Sequence, residues 1–207
     1  MIRAEVEAAL DDQNNDWEAT GNSVLAEQTR LSNLVDDLLL LARMDEGGPP
    51  NRQEVDLDDL ARAEAGRGWP LPVSTAEVHP VRMYGEVHQL SRAIQNLLAN
   101  ANRHATTEVS LSVHQLGKEA IVRVDDDGAG VRAAERDQIF DRFARLDEGR
   151  VRDRGGAGLG LAIVREVAST HGGQALVTNS PLGGARLELR LALSPSDHER
   201  RRARAAC

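Results

Sequence analysis

Apolar positions along the chain follow two rhythms. Between Ser23 and Met44, residues Val24, Gln28, Leu31, Val35, Leu38 and Ala42 alternate four and three apart. That spacing predicts a helix with a heptad seam, thickened by Leu34 and Leu41, and the GGPP run at Gly47–Pro50 ends it. Upstream, Ile2, Val6, Ala9 and Leu10 share a face, so Ile2–Asp11 reads as the end of another helix, with DDQNND as the turn. Two helices alone cannot bury such a seam. A hairpin that dimerises into a four-helix bundle would.

From Val55 onward the rhythm changes repeatedly. A short helix (Leu57–Ala65) leads to weak strand material around Val73 and Val81. A helix from Glu86 to His104 carries Val87, Leu90, Ala93, Ile94, Leu97, Leu98 and Ala101 on one face. Val109–Val113 and Ala120–Val124 alternate as strands about Leu116-Gly117. A glycine- and charge-rich stretch, Asp125–Gly158, precedes a helix at Leu159–Thr170, and strands Gln174–Asn179 and Ala185–Leu193 flank the turn PLGG. The pattern predicts an α+β fold, with helices on one face of a mostly antiparallel sheet. It divides the chain into a helical hairpin segment (1–48), a second domain (52–194) and a polar tail (195–207).

Composition narrows the function. A net charge of −8 argues against a nucleic-acid binder, which would carry a basic patch. The one cysteine, Cys207, excludes an internal disulfide and fits a reducing compartment. The longest apolar run, Leu38–Ala42, falls far short of the ~20 residues of a membrane helix, and no signal peptide is legible. The expectation is a cytoplasmic chain, with a membrane anchor left open for any longer protein. Aromatics are only 2% of residues, which draws attention to Phe140 and Phe143, three apart.

Three clusters have the residue types that handle a nucleotide. In NLLANANRH, Asn96 and Asn100 project from one helix face; amide oxygens suit Mg²⁺, and Arg103 and His104 lie a turn further on. A merely solvated helix face is the plainer alternative. In DDDGAG, Asp126 follows a strand and precedes Gly128 and Gly130; a carboxylate there can accept from the exocyclic amine of adenine. An acidic turn is the plainer alternative, and the register excludes an EF-hand loop. In GGAGLGLAIV, glycines open an apolar helix whose first N–H groups can bind phosphate, although no Lys-Ser/Thr follows as in a Walker loop. A flexible loop would look similar.

The order of the clusters resembles sensor histidine kinases of the GHKL ATPase superfamily, over nearly the whole chain. NLLANA is similar to the family's N box, DDDGAG to its first glycine box, IFDRFAR (Ile139–Arg145) to its F box and GGAGLGL to its second glycine box. HGG at His171 and SPLGGA (Ser180–Ala185) resemble its closing strands, and Arg30–Asp45 resembles the second helix of its dimerisation and phosphotransfer hairpin. The resemblance implies a two-layer α/β sandwich of the Bergerat type behind a truncated hairpin. It implies ATP and Mg²⁺ as cofactors, with Asn96 and Asn100 on the metal and Asp126 on adenine. Gly128 and Gly130 would border the ring, while Gly156, Gly158, Leu159, Gly160 and Leu161 would support the triphosphate. Arg103, His104, Arg142 and Arg145 are the implied phosphate contacts, Arg145 foremost. Val131–Ala157 would form a mobile lid anchored by Phe140 and Phe143.

The resemblance also implies a phosphoacceptor histidine one to two helical turns ahead of Met1. None of the six histidines, His79, His88, His104, His114, His171 and His198, lies on the hairpin. The expected acceptor is therefore a histidine of a missing N-terminal segment or of a partner. A displaced start or cloned fragment, a two-gene kinase and a degenerate regulator all remain open. A response regulator and a second copy of the chain, joined through the hairpin, are the other implied partners. Two rivals are an anti-sigma-type serine kinase, which would lack the Arg30–Asp45 helix, and a non-catalytic ATP-binding dimerisation or regulatory module. The terminal Glu199–Arg204 run reads as a solvated tail.

Overall fold

The computed structural model describes residues 16–45, 51–144 and 158–193. Helix α1 spans Trp17–Asp45, and it starts six residues before the expected Ser23. The last residue of DDQNND explains this: Asp16 Oδ1 accepts from the N–H groups of Glu18 and Ala19, each at 3.1 Å, as an N-cap. The expected helix at Ile2–Asp11, the GGPP stop and the tail lie outside the described residues.

The second region contains β1 (Gln53–Asp56), α2 (Leu57–Ala65), β2 (Val73–Val78), β3 (Arg82–Gly85), α3 (Val87–His104), β4 (Val109–Leu116) and β5 (Glu119–Asp126). After two short 3₁₀ turns come α4 (Gly160–Thr170), β6 (Gln174–Asn179) and β7 (Ala185–Ala192). Five strands form one sheet in the order β2-β4-β5-β7-β6; β2 runs parallel to β4 and the other pairings are antiparallel. Strand β1 was not foreseen. It is four residues long with one buried residue, Val55, too little to show alternation, and it pairs with β3 in a separate two-stranded sheet.

The alternation of the strands decides what faces what. Val109, Leu111 and Val113 on β4, Ala120, Val122 and Val124 on β5, and Leu187, Leu189 and Leu191 on β7 share the face under the helices, all at most 1% exposed. α3 closes over them with Leu90, Ala93, Ile94, Leu97, Leu98 and Ala101, each fully buried. On the other face ion pairs replace packing. Arg186 grips Asp125 through two bonds of 2.8 and 3.0 Å, and Arg123 and Arg190 both hold Glu188. The fold is the expected two-layer α+β sandwich. No helix among the described residues is long and apolar enough to cross a membrane.

Candidate nucleotide site

Three consecutive aspartates end β5, and strand parity separates them. Asp125 points to the solvent face and pairs with Arg186. Asp127 leaves the strand, and its carboxylate accepts from the N–H groups of Thr106 and Thr107 and from the Thr107 hydroxyl. Those bonds, the Thr107 hydroxyl first, hold its pKa far below the usual carboxylate value. Asp126 alone points beneath the helices, 1% exposed. Its Oδ1 accepts from Gly128 N–H at 2.9 Å and Ala185 N–H at 3.0 Å, which fixes the side chain. Its Oδ2 is buried with no hydrogen-bond partner among the described residues.

A buried, unpartnered carboxylate oxygen is costly unless a donor arrives. An exocyclic amine fits that need. Glycine is required beside it: a Cβ on Gly128 would lie 2.2 Å from the carbonyl oxygen of His104, so only glycine lets the loop after β5 meet the end of α3. Gly130 and the PLGG turn pack together behind Asp126, where Gly184 donates its N–H to the Asp126 carbonyl.

The other end of the candidate site is built from α3 and α4. Asn96 presses against the first residue of α4: a Cβ on Gly160 would come 2.9 Å from its Oδ1. Its Nδ2 is a second buried polar atom without a partner among the described residues. Asn96 thus brings one donor and one carbonyl oxygen to the start of α4. That start has no side-chain cap, so its first N–H groups are available to an anion. Asn100 lies one turn along α3 on the same face. An amide oxygen from each is a donor set that suits Mg²⁺, which keeps most of its waters.

The other expected residues are distributed around this centre. Leu159 is buried and Leu161 half-buried, so they anchor the helix start rather than line an open surface. Gly158 adopts φ +73° and its carbonyl accepts the N–H of Phe143 at 2.8 Å. Arg103 and His104 lie at the exposed C-terminal end of α3. Loss of water around the ring and then the Arg103 charge push the His104 pKa down, with Asp126 pulling the other way. Arg142 is exposed. Arg145 and Gly156 lie outside the described residues, as does the second half of the expected lid, 145–157. The paired aromatics divide: Phe140 is buried at 4% exposure, whereas Phe143 is 66% exposed at φ 65°.

Several contributors escaped the sequence reading. The Gly184 and Ala185 N–H groups are backbone, which no residue type announces. Asp127 carries no role in the sequence pattern, which points to Asp126. His171 is buried; its Nδ1 lies 2.8 Å from the Val167 carbonyl and its Nε2 accepts from Glu86 N–H, tying the end of α4 to the start of α3.

Comparison with known proteins agrees with this fold. Residues 85–195, more than half of the chain, match the model of the histidine kinase-, DNA gyrase B- and HSP90-like ATPase family. The chain belongs to that family, and it carries a catalytic region of the sensor histidine kinase type. It is 38% identical over 168 residues to the probable sensor histidine kinase TcrY of Mycobacterium tuberculosis, covering 76% of this chain and 35% of that protein. It is 37% identical over 176 residues to the sensor histidine kinase CpxA of Escherichia coli, covering 81% of this chain and 38% of that one. The crystal structure of the ATP-binding domain of PrrB from Mycobacterium tuberculosis superposes with a TM-score of 0.59 at 37% identity, over 70% of this chain and 99% of that domain. The chain spans well under half the length of these two full-length relatives.

Proposed function

We propose that the chain is the ATP-binding catalytic part of a two-component sensor histidine kinase, which passes the γ-phosphoryl group of ATP to a histidine imidazole borne by a preceding segment or a partner. The observation that carries the reading is the Asp126 carboxylate, locked by two backbone donors with its second oxygen buried and unpartnered. Asp126 selects the adenine, and Gly128 allows the close approach of its loop. Asn96 and Asn100 hold the magnesium, which would draw charge off the phosphates. The first N–H groups of α4 receive the phosphate oxygens, with Arg103, Arg142 and Arg145 as cationic partners. Phosphoryl transfer asks little covalent chemistry of the protein, so positioning and charge neutralisation are its main tasks. The hairpin segment 1–48 would supply a dimer contact, and a response regulator would take the phosphoryl group onward.

Calorimetric titration with ATP, with and without Mg²⁺, tests the site in the parent chain, Asn100→Ala and Asp126→Ala. Weaker binding in both variants, with the Asn100→Ala loss confined to the Mg²⁺ titration, is the expected result. Acid-labile label on an added histidine-bearing hairpin would then establish transfer. A parent chain that binds no ATP removes the assignment, and binding without transfer favours the regulatory module.

A further inference from the structure

Helix α1 carries two stripes of large apolar residues, about 100° apart round its axis. Leu31, Val35 and Leu38 are 45–52% exposed, while the neighbouring stripe of Leu34, Leu41 and Met44 packs on the ATP-binding domain, where α1 meets α4. Asp37 lies in the packed stripe and is 9% exposed. It is held by one guanidinium. Arg92 Nε donates to Asp37 Oδ1 at 2.6 Å, Nη1 to Asn33 Oδ1 at 3.1 Å and Nη2 to the Asn33 carbonyl at 2.8 Å.

Asn33 and Asp37 are one helical turn apart, so a single planar fork spans a full turn of α1. Lysine could not do this, because it offers a point charge and not a rigid set of donors. The fork is itself braced. Arg92 Nη1 also reaches Gln95 Oε1 at 3.3 Å, and Gln95 Nε2 and Ser91 Oγ both donate to the buried Glu64 of α2. Arg92 stands one turn before Asn96 on α3, so the grip on α1 is set next to the α3–α4 end of the site.

We infer that Arg92 is a positioning residue: its clamp on Asn33 and Asp37 fixes one register of helix α1 against the ATP-binding domain, and so fixes where the domain presents its nucleotide relative to the helical hairpin. Leucines alone would not define that register, since an apolar stripe can slide or roll with little loss of buried area. The ion pair adds direction. Burial raises the Asp37 pKa despite the opposing hydrogen bond and charge of Arg92, so desolvation offsets much of the attraction. Such a pair specifies geometry more than it adds affinity. The consequence for transfer rests on the proposed kinase reading; the clamp does not.

The two are separated by one set of samples. In a Cys207→Ser background, spin labels at Ala26→Cys on α1 and Lys118→Cys at the far end of the sheet report their distance by dipolar spectroscopy, with labelled chains diluted into excess unlabelled protein. One narrow distance is expected for the parent, and loss of that narrow peak for both Arg92→Ala and Asp37→Asn, with MgATP affinity unchanged. Asp37→Asn keeps the side-chain shape and reports from the other side of the clamp if Arg92→Ala does not fold. A narrow distance that persists in either folded variant overturns the inference. A parent that shows the narrow distance but binds no MgATP removes the kinase reading and leaves the clamp standing.

Discussion

Helices α1 and α3 are written in much the same apolar rhythm, yet they meet opposite fates. All six buried apolar residues of α3 are fully enclosed between the sheet and the neighbouring helices. On α1 Leu41 is the only apolar residue buried among the described residues, and Leu25, Leu31, Val35, Leu38 and Leu39 stand 45–61% exposed. Periodicity states that a helix has an apolar face. It does not state what covers that face. For α3 the cover is the chain's own sheet; for α1 one stripe is covered by the ATP-binding domain, and the other is left for a second surface, which we propose is a partner helix of a dimer.

The difference is sharpest in mutational cost. Leu97→Ala in α3 leaves a cavity in a close-packed layer and should cost about 2–5 kcal/mol in urea unfolding. The same truncation at Leu38 of α1 should stay within about 0.5 kcal/mol in dilute, monomeric samples. A large loss at Leu38 under those conditions would show that its face is already covered within the chain.

Binding comes next. Asp126→Asn keeps the shape but replaces a charged acceptor, and should weaken ATP by about 1.5–3 kcal/mol, roughly tenfold to a hundredfold. Asp125→Asn, one residue away on the opposite face of β5, should leave ATP affinity unchanged in the same titration. Equal losses at both positions would refute the parity assignment. On α1, Val35→Glu with Leu38→Glu should shift sedimentation at high concentration toward monomer, while the unfolding midpoint of the ATP-binding domain stays put.

The smallest effect is a pH dependence. The folded-state pKa of Asp127 is depressed, chiefly by the Thr107 hydroxyl, so its contribution to stability is present above the unfolded value, about 3.9. It is lost as pH falls below that value toward the folded pKa. Asp127→Ala should therefore lower the melting temperature slightly at neutral pH and flatten its decline in acid. An identical acid limb in parent and variant would contradict the Thr106–Thr107 contact.

The sequence was most legible where one residue type met one local need. The α3 face, the strands β4 to β7 and Asp126 could all be placed because alternation and helical spacing are local properties of the chain. It was less legible where backbone or distance did the work. β1 is too short to show its period, and the donors from Gly184 and Ala185 come from a turn about 60 residues from Asp126. Phe140 and Phe143 look equivalent in IFDRFAR, yet one is 4% exposed and the other 66%. Likewise Leu34 and Leu41 look like a thickening of one seam, but they belong to a stripe of their own.

What the sequence by itself determined is the list of elements, the apolar face of each, and the order of three nucleotide-handling clusters, since these follow from side-chain size, period and turn chemistry along short stretches. Only the tertiary structure decided which stripe of α1 is docked, which backbone donors lock Asp126, and which guanidinium holds the helix. Those outcomes depend on contacts between residues tens of positions apart, and no short-range pattern encodes where a distant partner will stand.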